Sequence, residues 1–315
     1  MKPLLDLPGR AIIKTHPFPI GLDKEGSAGE TRVASRKRLN LYHLYHRIEF
    51  MVLAVTVNIN PILIELGPIR VSWYGLMYVL GFFAFYLLAR YQMKKKDFGI
   101  SRIEFENLFF YLILGLVIGA RLGYILFYDL KMYLADPLEI FAVWHGGMSF
   151  HGGLIGVLVV GILFSWKNKK SFWKIADLCI VTAPIGLGLG RIGNFINGEL
   201  YGRVTQVPWA MIFQTDKDRL PRHPSQLYES GLEGGVLFLI LWFLKDKKLP
   251  EGGLLAVFLS FYGLFRFIVE FFRQPDPQLG FVLGSFTMGQ ILSSFMIVGG
   301  IALLLYLKGK GKEKS

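Results

Sequence analysis

Long apolar segments separated by short polar loops make up most of the chain after Met51. Several of them contain windows of about 18–22 residues that are nearly free of charge, the length that crosses ~30 Å of hydrocarbon at ~1.5 Å per residue. They predict seven transmembrane helices, at Val71–Gln92, Asn107–Tyr128, Phe141–Trp166, Phe172–Leu189, Ser225–Leu244, Gly253–Phe272 and Gly284–Leu307. The pattern therefore predicts an all-α integral membrane protein.

Polar segments lie before, within and after this membrane domain, which we place at residues 51–307. Residues 1–50 are polar and mildly basic, and we interpret them as a poorly ordered extension or the product of an upstream start codon. Residues 52–70 contain two prolines and a glycine as breakers, which predicts a short strand-like or interfacial segment. Residues 191–223 are too charged to span a membrane, and we expect a small polar section there, between helices four and five. Residues 308–315 predict a solvated basic tail.

The distribution of lysine predicts which side of the membrane each loop occupies. The lysine-rich loops follow the first, third and fifth predicted spans, whereas the opposite loops contain only Lys131 and Lys217. Cytoplasmic loops carry the excess of basic residues, so we expect these loops and the C-terminus to be cytoplasmic. The polar section 191–223 and the turn at 273–280 would then face the periplasm. Topology also explains the net charge of +12, so we expect no nucleic-acid partner.

The sequence GLGLGRIGNFINGELYGR, at Gly186–Arg203, combines many glycines with many hydrogen-bonding side chains. Its polar residues are Arg191, Asn194, Asn197, Glu199 and Arg203. Glycine allows the backbone to approach a partner closely, and arginine offers a planar fork suited to phosphate or carboxylate. Neither a P-loop lysine nor a preceding strand is present, so a nucleotide-binding motif does not fit. We interpret this stretch as a pocket for an anionic group at a membrane boundary.

The sixth predicted span contains a second polar row in FYGLFRFIVEFFRQPD. Tyr262, Arg266, Glu270 and Arg273 follow one another at helical spacing and share one face. A purely structural interpretation is an ion pair between Arg266 and Glu270. One carboxylate does not neutralise two arginines, however, so we expect positive charge to remain for an anion.

His151, in GGMSFHGGLIG, lies in the third predicted span with glycines on both sides. A lone histidine in an apolar segment is most often structural, but a neutral imidazole accepts a proton near neutral pH. Arginines nearby would disfavour its protonated form and keep it available as a base. Arg121 and Tyr74 are further polar groups in apolar surroundings, and Tyr74 equally fits an interfacial aromatic belt. In HPSQLYE, Glu229 lies one turn inside the fifth span and needs a partner.

Together, GRIGNFINGELYGR, GGMSFHGGLIG, HPSQLYE and YGLFRFIVEFFRQPD resemble the motifs of bacterial prolipoprotein diacylglyceryl transferases, in the same order along the chain. The resemblance extends from about Val52 to the C-terminus. It implies a seven-span enzyme of the bacterial inner membrane whose active site faces the periplasm. Its reaction transfers the diacylglyceryl group of phosphatidylglycerol to the lipobox cysteine of a prolipoprotein and releases glycerol-1-phosphate, without metal or other cofactor.

The same resemblance implies the site residues. They are Tyr74, Arg121, His151, Arg191, Asn194, Glu199, Gly202, Tyr262 and Arg266. Our hypothesis is that His151 accepts the proton of the cysteine while Arg191 and Arg266 clamp the phosphate. Asn194 would bind the headgroup and Glu199, Glu270 and Tyr262 would orient the arginines or the terminal glycerol, with Arg203 and Arg273 alongside. A flippase or anion carrier is the alternative, but such proteins often contain inverted repeats, and the signature has no second copy.

Overall fold

The computed structural model describes residues 55–67, 69–275, 281–284 and 286–312. The prediction for residues 1–50 lies outside these ranges. The helices are α1 Trp73–Lys95, α2 Arg102–Phe127, α3 Leu130–Ala135, α4 Phe150–Lys167, α5 Phe172–Ile180, α6 Ala183–Asn197, α7 Ser225–Glu229, α8 Leu237–Leu244, α9 Gly253–Val269 and α10 Met288–Lys312. A π-helical segment, Ser230–Val236, joins α7 to α8, and short 3-10 turns cover Pro137–Phe141 and Val143–His145.

Six short strands accompany the helices: β1 Val55–Val57, β2 Ile62–Leu66, β3 Ile69–Ser72, β4 Met211–Phe213, β5 Phe281–Leu283 and β6 Phe286–Thr287. They form three two-stranded sheets, with β1 parallel to β4, and β2–β3 and β5–β6 antiparallel. The strand-like segment predicted before the first span is therefore confirmed.

Five helices are long and apolar enough to cross a membrane among the described residues: α1, α2, α4, the continuous α7–α8 helix and α10. The pair α5 and α6 makes a sixth if it counts as one span, with a bend of 43° at its break. Helix α9 is apolar but shorter. The chain is thus a mostly helical, multi-pass membrane protein, and each predicted span corresponds to a helix or to a helix pair.

The third predicted span begins later than its apolar composition suggested. Gly146 and Gly147 have φ values of 88° and 73°, which a right-handed helix excludes. Helix α4 instead begins at Phe150, where the side chain of Ser149 accepts a hydrogen bond from the amide of Gly152 at 3.3 Å. The segment predicted as the start of a span is therefore an irregular connection.

The fourth and sixth predicted spans also end differently. Helix α6 continues past Leu189 to Asn197, so the first part of the predicted polar section is helical. Its polar side chains have partners within the protein, since Arg191 pairs with Glu229 and Asn194 binds Glu199, which is why the helix tolerates them. Helix α9 ends at Val269, short of the predicted Phe272.

Helices α2 and α4 pack through glycines. A Cβ added at Gly156 would collide with the carbonyl oxygen of Gly115, and one at Gly152 with that of Gly119. Small residues let helices approach closely in a membrane, where lipid is as apolar as leucine and packing drives association. This contact sets the position of the α4 N-terminus, which carries His151.

We expect Gly156→Ala to lower the free energy of unfolding by about 1–3 kcal/mol, because the added methyl group must push two helix backbones apart. Thermal unfolding in detergent measures this change. Gly299→Ala on α10 is the matched control, since a Cβ there meets nothing within 4 Å. Equal effects of the two substitutions would contradict the close-packing argument.

A buried carboxylate links α5 to the start of α9. Asp177 accepts hydrogen bonds from the backbone amides of Gly252 at 2.8 Å and Leu255 at 3.0 Å. These are amides of the first turn of α9, which have no partner within the helix. The contact positions α9, whose other end carries Arg266.

The polar section after α6 folds against β1 and has its own buried ion pair. Arg222 Nε lies 2.6 Å from Asp216 Oδ2, and its guanidinium lies 4.9 Å from the ring centre of Tyr201. Burial opposes ionisation of Asp216, but hydrogen bonds from Arg222 outweigh it and hold the pKa of this carboxyl below its usual value. Backbone bridges from Arg222 to Val204 and Met211 complete the fold of the section.

Candidate active site

Three arginines, one from α6, one from α9 and one from the segment after α9, meet one buried carboxylate where α6 ends, α7 begins and α9 ends. The carboxylate belongs to Glu229, which is only 1 % exposed. Its Oε2 lies 2.5 Å from Arg191 Nε. Its Oε1 accepts hydrogen bonds from Arg266 Nη1 at 3.0 Å and from Arg273 Nη1 at 3.1 Å. We call this group, together with Glu233 and Glu270, the arginine cluster.

The ion pair predicted between Arg266 and Glu270 is confirmed, with Nη2 and Oε2 3.0 Å apart. The expectation that one carboxylate leaves positive charge in excess is wrong. Spacing along α9 shows only the partners on the same helix, whereas Glu229 and Glu233 come from α7 and the π-helical segment. Within the described part of the chain, the cluster therefore contains as many carboxylates as guanidinium groups.

The end of α6 turns the chain back so that Glu199 reaches Asn194. Gly198 adopts a left-handed conformation with φ of 66°, which ends the helix. Asn194 Nδ2 then donates to Glu199 Oε1 at 2.8 Å, and Arg191 Nη1 donates to Asn194 Oδ1 at 3.4 Å. Gln226 Nε2 donates a hydrogen bond to the backbone carbonyl of Glu199 at 2.7 Å. Asn194 is thus oriented on one side by Arg191 and on the other by Glu199.

Gly202 lies where two chain segments press on its backbone. Its amide donates to the carbonyl of His223 at 2.9 Å, while a Cβ would lie 2.8 Å from His223 Cβ and collide with the carbonyl of Phe272. Arg203 is held beside it, because its Nε donates to the carbonyl of Arg273 at 2.9 Å. Burial lowers the pKa of His223, which favours the neutral imidazole at this contact. Gly202 thus permits close approach of the backbone.

Glu270 is held from two sides. Thr287 Oγ1 donates to its Oε1 at 3.0 Å, and a Cβ at Gly289 would lie 2.8 Å from the same oxygen. Tyr262, one turn before Arg266 on α9, stacks on Phe258 with ring centres 5.4 Å apart. The sequence offered no signal for Thr287, which lies in β6, 17 residues after Glu270.

Tyr74, in the first turn of α1, lies against α6. A Cβ at Gly193 would be 2.6 Å from Tyr74 Cδ2, so glycine is needed for this contact. The Tyr74 hydroxyl lies 3.3 Å from the hydroxyl of Tyr78. The ring therefore lies beside the turn of α6 that carries Arg191 and Asn194.

Glu233 is the member of the cluster that sequence reasoning missed. It lies in the π-helical segment, is 1 % exposed and has Arg266 Nη1 as its nearest cation, at 3.8 Å from Oε1. Within the described residues this oxygen has no hydrogen-bond partner. The available signal was a second carboxylate four residues after Glu229 in an otherwise apolar span. Single π-helical turns are often found at functional sites.

Comparison with known proteins gives the geometry its context. The family model for prolipoprotein diacylglyceryl transferase matches residues 61–306. The chain belongs to this family. Relatives named phosphatidylglycerol–prolipoprotein diacylglyceryl transferase include those of Desulfotalea psychrophila, 55 % identical over 78 % of this chain and 92 % of the relative, and Geobacter sulfurreducens, 52 % identical over 78 % and 94 %. That of Bordetella avium is 53 % identical over 78 % and 94 %.

In this member of the transferase family Arg121 is engaged by backbone carbonyls. It donates to five of them, those of Glu139, Ile140, Ala142, Gly146 and Gly147. Its guanidinium also lies 4.9 Å from the ring centre of Tyr133. A substrate ligand needs free donors, so these contacts favour a structural role in which Arg121 anchors the connection between α3 and α4.

His151 lies in the first turn of α4 with an exposed side chain. Its ring centre is 5.7 Å from that of Phe150. Among the described residues it has no hydrogen bond or ion pair, and the predicted arginine neighbours do not contact it. Its role as a base therefore stays a prediction, whereas Arg191, Asn194, Glu199, Arg266 and Glu270 form one connected network.

Proposed function

We propose that this chain transfers the diacylglyceryl group of phosphatidylglycerol to the thiol of the lipobox cysteine of a prolipoprotein and releases glycerol-1-phosphate. This is the first step of lipoprotein maturation. Membership of the family is the observation that carries the proposal. The arginine cluster supports it, because guanidinium groups buried at a membrane boundary suit the phosphate of a lipid headgroup.

In this proposal Arg191 and Arg266 clamp the phosphate of phosphatidylglycerol. Both already converge on Glu229, so their forks point to one region of the cluster. Asn194 binds the headgroup beside Arg191. Glu199, Glu270 and Tyr262 orient the arginines or bind the terminal glycerol. Arg203, Arg273 and Tyr74 border the same region.

The reaction forms a carbon–sulfur bond while the carbon–oxygen bond to the phosphate breaks. The thiol loses its proton, and the phosphodiester leaves as a phosphomonoester that bears more negative charge. Cations that hold the phosphate in fixed positions therefore stabilise the transition state more than the bound substrate. The acyl chains remain between the helices and the outer leaflet, so the reaction needs no aqueous path for them.

We assign the thiol proton to His151, because its imidazole is exposed at the end of α4 and an incoming peptide can reach it. We expect His151→Gln to lower turnover by about 10²–10⁴-fold, the usual contribution of a general base, with phosphatidylglycerol binding unchanged. Release of glycerol-1-phosphate by the purified variant measures the rate. Near-normal turnover would remove the base assignment.

We further propose seven crossings of the bacterial inner membrane, with the cluster toward the periplasm and the C-terminus in the cytoplasm. Tyr74 lies beside the cluster in the first turn of α1, whereas Lys94 and Lys95 end the same helix. A helix of 23 residues is about 35 Å long at ~1.5 Å per residue. The lysines therefore lie at the opposite end of the bundle from the cluster, as the positive-inside rule requires for a periplasmic site.

The decisive experiment incubates the purified protein with phosphatidylglycerol and a lipobox peptide. The expected products are glycerol-1-phosphate and a peptide with a diacylglyceryl thioether, both detected by mass spectrometry. A peptide with serine in place of the lipobox cysteine is the control and should give neither product. Movement of lipid between leaflets without either product would instead indicate a carrier.

A further inference from the structure

Among the described residues, the arginine cluster contains equal numbers of basic and acidic side chains before any substrate binds. Its three guanidinium groups face three carboxylates, and these residues are Arg191, Arg266, Arg273, Glu229, Glu233 and Glu270. The more exposed Arg203 and Glu199 add one charge of each sign. An anionic headgroup that binds here therefore brings a negative charge for which the described residues supply no additional cation.

An uncompensated charge is costly in such a place. Glu229 and Glu233 are almost fully buried, and a low dielectric strengthens repulsion between the phosphate and the carboxylates. The repulsion grows further as the leaving phosphate gains its second negative charge. Protonation of one carboxylate relieves it, and the carboxylate that is stabilised least as an anion takes the proton most readily.

The contacts distinguish the three carboxylates. Glu229 has guanidinium nitrogens of three arginines within 3.1 Å. Glu270 has Arg266 at 3.0 Å and the hydroxyl of Thr287 at 3.0 Å. Glu233 has only Arg266, at 3.8 Å, and one of its buried oxygens has no hydrogen-bond partner among the described residues. Glu233 is thus the carboxylate held most weakly.

We propose that Glu233 takes up one proton when the phosphate of the lipid headgroup binds Arg191 and Arg266. The proton keeps the cluster neutral and weakens the attraction between Glu233 and Arg266, which stays paired with Glu229 and Glu270. Glu233 then acts through Arg266 and is a positioning residue for the transfer. This inference rests on the proposed headgroup site.

The groups that face Glu233 come from every element packed against it. They are Arg191 of α6, Glu229 of α7, Tyr262 and Arg266 of α9, and Glu270 and Arg273 after α9. Helix α8 carries no charged side chain between Leu237 and Leu244. All three arginines have closer partners than Glu233, and the other two carboxylates have closer cations. Of the acidic groups in this set, Glu233 therefore accepts a proton with the least loss of existing contacts.

Calorimetry tests the proposal on the purified full-length protein in a zwitterionic detergent. Dihexanoyl phosphatidylglycerol is the probe, because its phosphodiester does not itself titrate near neutral pH. The binding heat measured in buffers of different ionisation enthalpy gives the number of protons taken up. We expect about one proton for the wild type and about none for Glu233→Gln, which mimics the protonated acid. Dihexanoyl phosphatidylcholine serves as the lipid control.

The pH dependence of binding gives a second readout that a merely structural role would not change. If binding requires a proton, the dissociation constant of the wild type rises with pH, by up to about tenfold per pH unit. Glu233→Gln should bind with little dependence on pH and more tightly than the wild type at high pH. Glu106→Gln is the matched control, because Glu106 also binds arginines, Arg90 and Arg102, but lies outside the cluster. It should behave as the wild type.

The possible results distinguish a failure of the role of Glu233 from a failure of the headgroup site on which that role depends. Binding by the wild type without proton uptake from about pH 6 to about pH 8 would overturn the role of Glu233, whether or not the variant folds. Equal uptake by a folded Glu233→Gln variant would overturn it as well. If phosphatidylglycerol fails to bind the wild type at all, the headgroup site itself is wrong, and this inference falls with it.

Discussion

Replacing Glu229 by alanine is expected to abolish transfer and to lower the free energy of unfolding by about 3–5 kcal/mol, the usual cost of removing one partner from a buried ion pair. The reason is that one carboxylate holds three guanidinium groups, those of Arg191, Arg266 and Arg273. Without it, α6 and α9 repel each other through cations buried at the same place. Thermal unfolding in detergent and release of glycerol-1-phosphate measure the two effects.

Glu106→Ala is the matched control for this change. Glu106 also receives two arginines, at 3.1 Å and 2.8 Å, but its side chain is 39 % exposed. Exposed ion pairs contribute only about 0–1 kcal/mol, because water screens the charges. A small and similar loss for both variants would show that Glu229 is not the centre of the cluster.

Replacing Arg266 by lysine is expected to lower turnover by about 10²–10³-fold, the effect of removing one hydrogen-bond donor aimed at a developing charge. Lysine keeps the positive charge but loses the planar fork that reaches Glu229 and Glu270 together. An ammonium group at this position binds one partner at a time and no longer presents two parallel donors to a phosphate. The rate at saturating phosphatidylglycerol, with a lipobox peptide as acceptor, measures the loss.

Arg102→Lys provides the comparison for Arg266→Lys. Arg102 pairs with Glu106 at 2.8 Å, but its side chain is 69 % exposed and lies far along the chain from the cluster. It should retain full activity. If Arg266→Lys also transfers at an undiminished rate while remaining folded, two-point clamping of the phosphate by this arginine is wrong.

The motifs were informative because polar residues in apolar segments cost free energy, so their presence indicates a partner or a function. Helical spacing correctly placed Arg266 and Glu270 in one ion pair. It also showed that Glu229 needed a partner. Spacing does not show which helix supplies that partner, because a contact between α7 and α9 depends on how the helices cross. The sequence therefore could not predict that three arginines meet at Glu229.

For Arg121 the sequence indicated a functional role, whereas the contacts of its side chain favour a structural one. An arginine within an apolar span indicates function by default, and the family resemblance pointed the same way. The structure surrounds this guanidinium with carbonyls of the segment between Glu139 and Gly147. Gly146 and Gly147 turn that segment back because they adopt positive φ. No periodic pattern reports such a contact between a side chain and an irregular backbone.

Local composition and motifs were enough to predict the membrane class and the family, because both depend on residues close together in the chain. The packed structure alone shows that α6 carries Arg191 and Asn194 beyond its predicted end, and that Glu229 joins three arginines. Only it placed the weakly held Glu233 beside Arg266. Charge balance in a buried cluster is a property of contacts between helices, and those contacts exist only once the helices have packed.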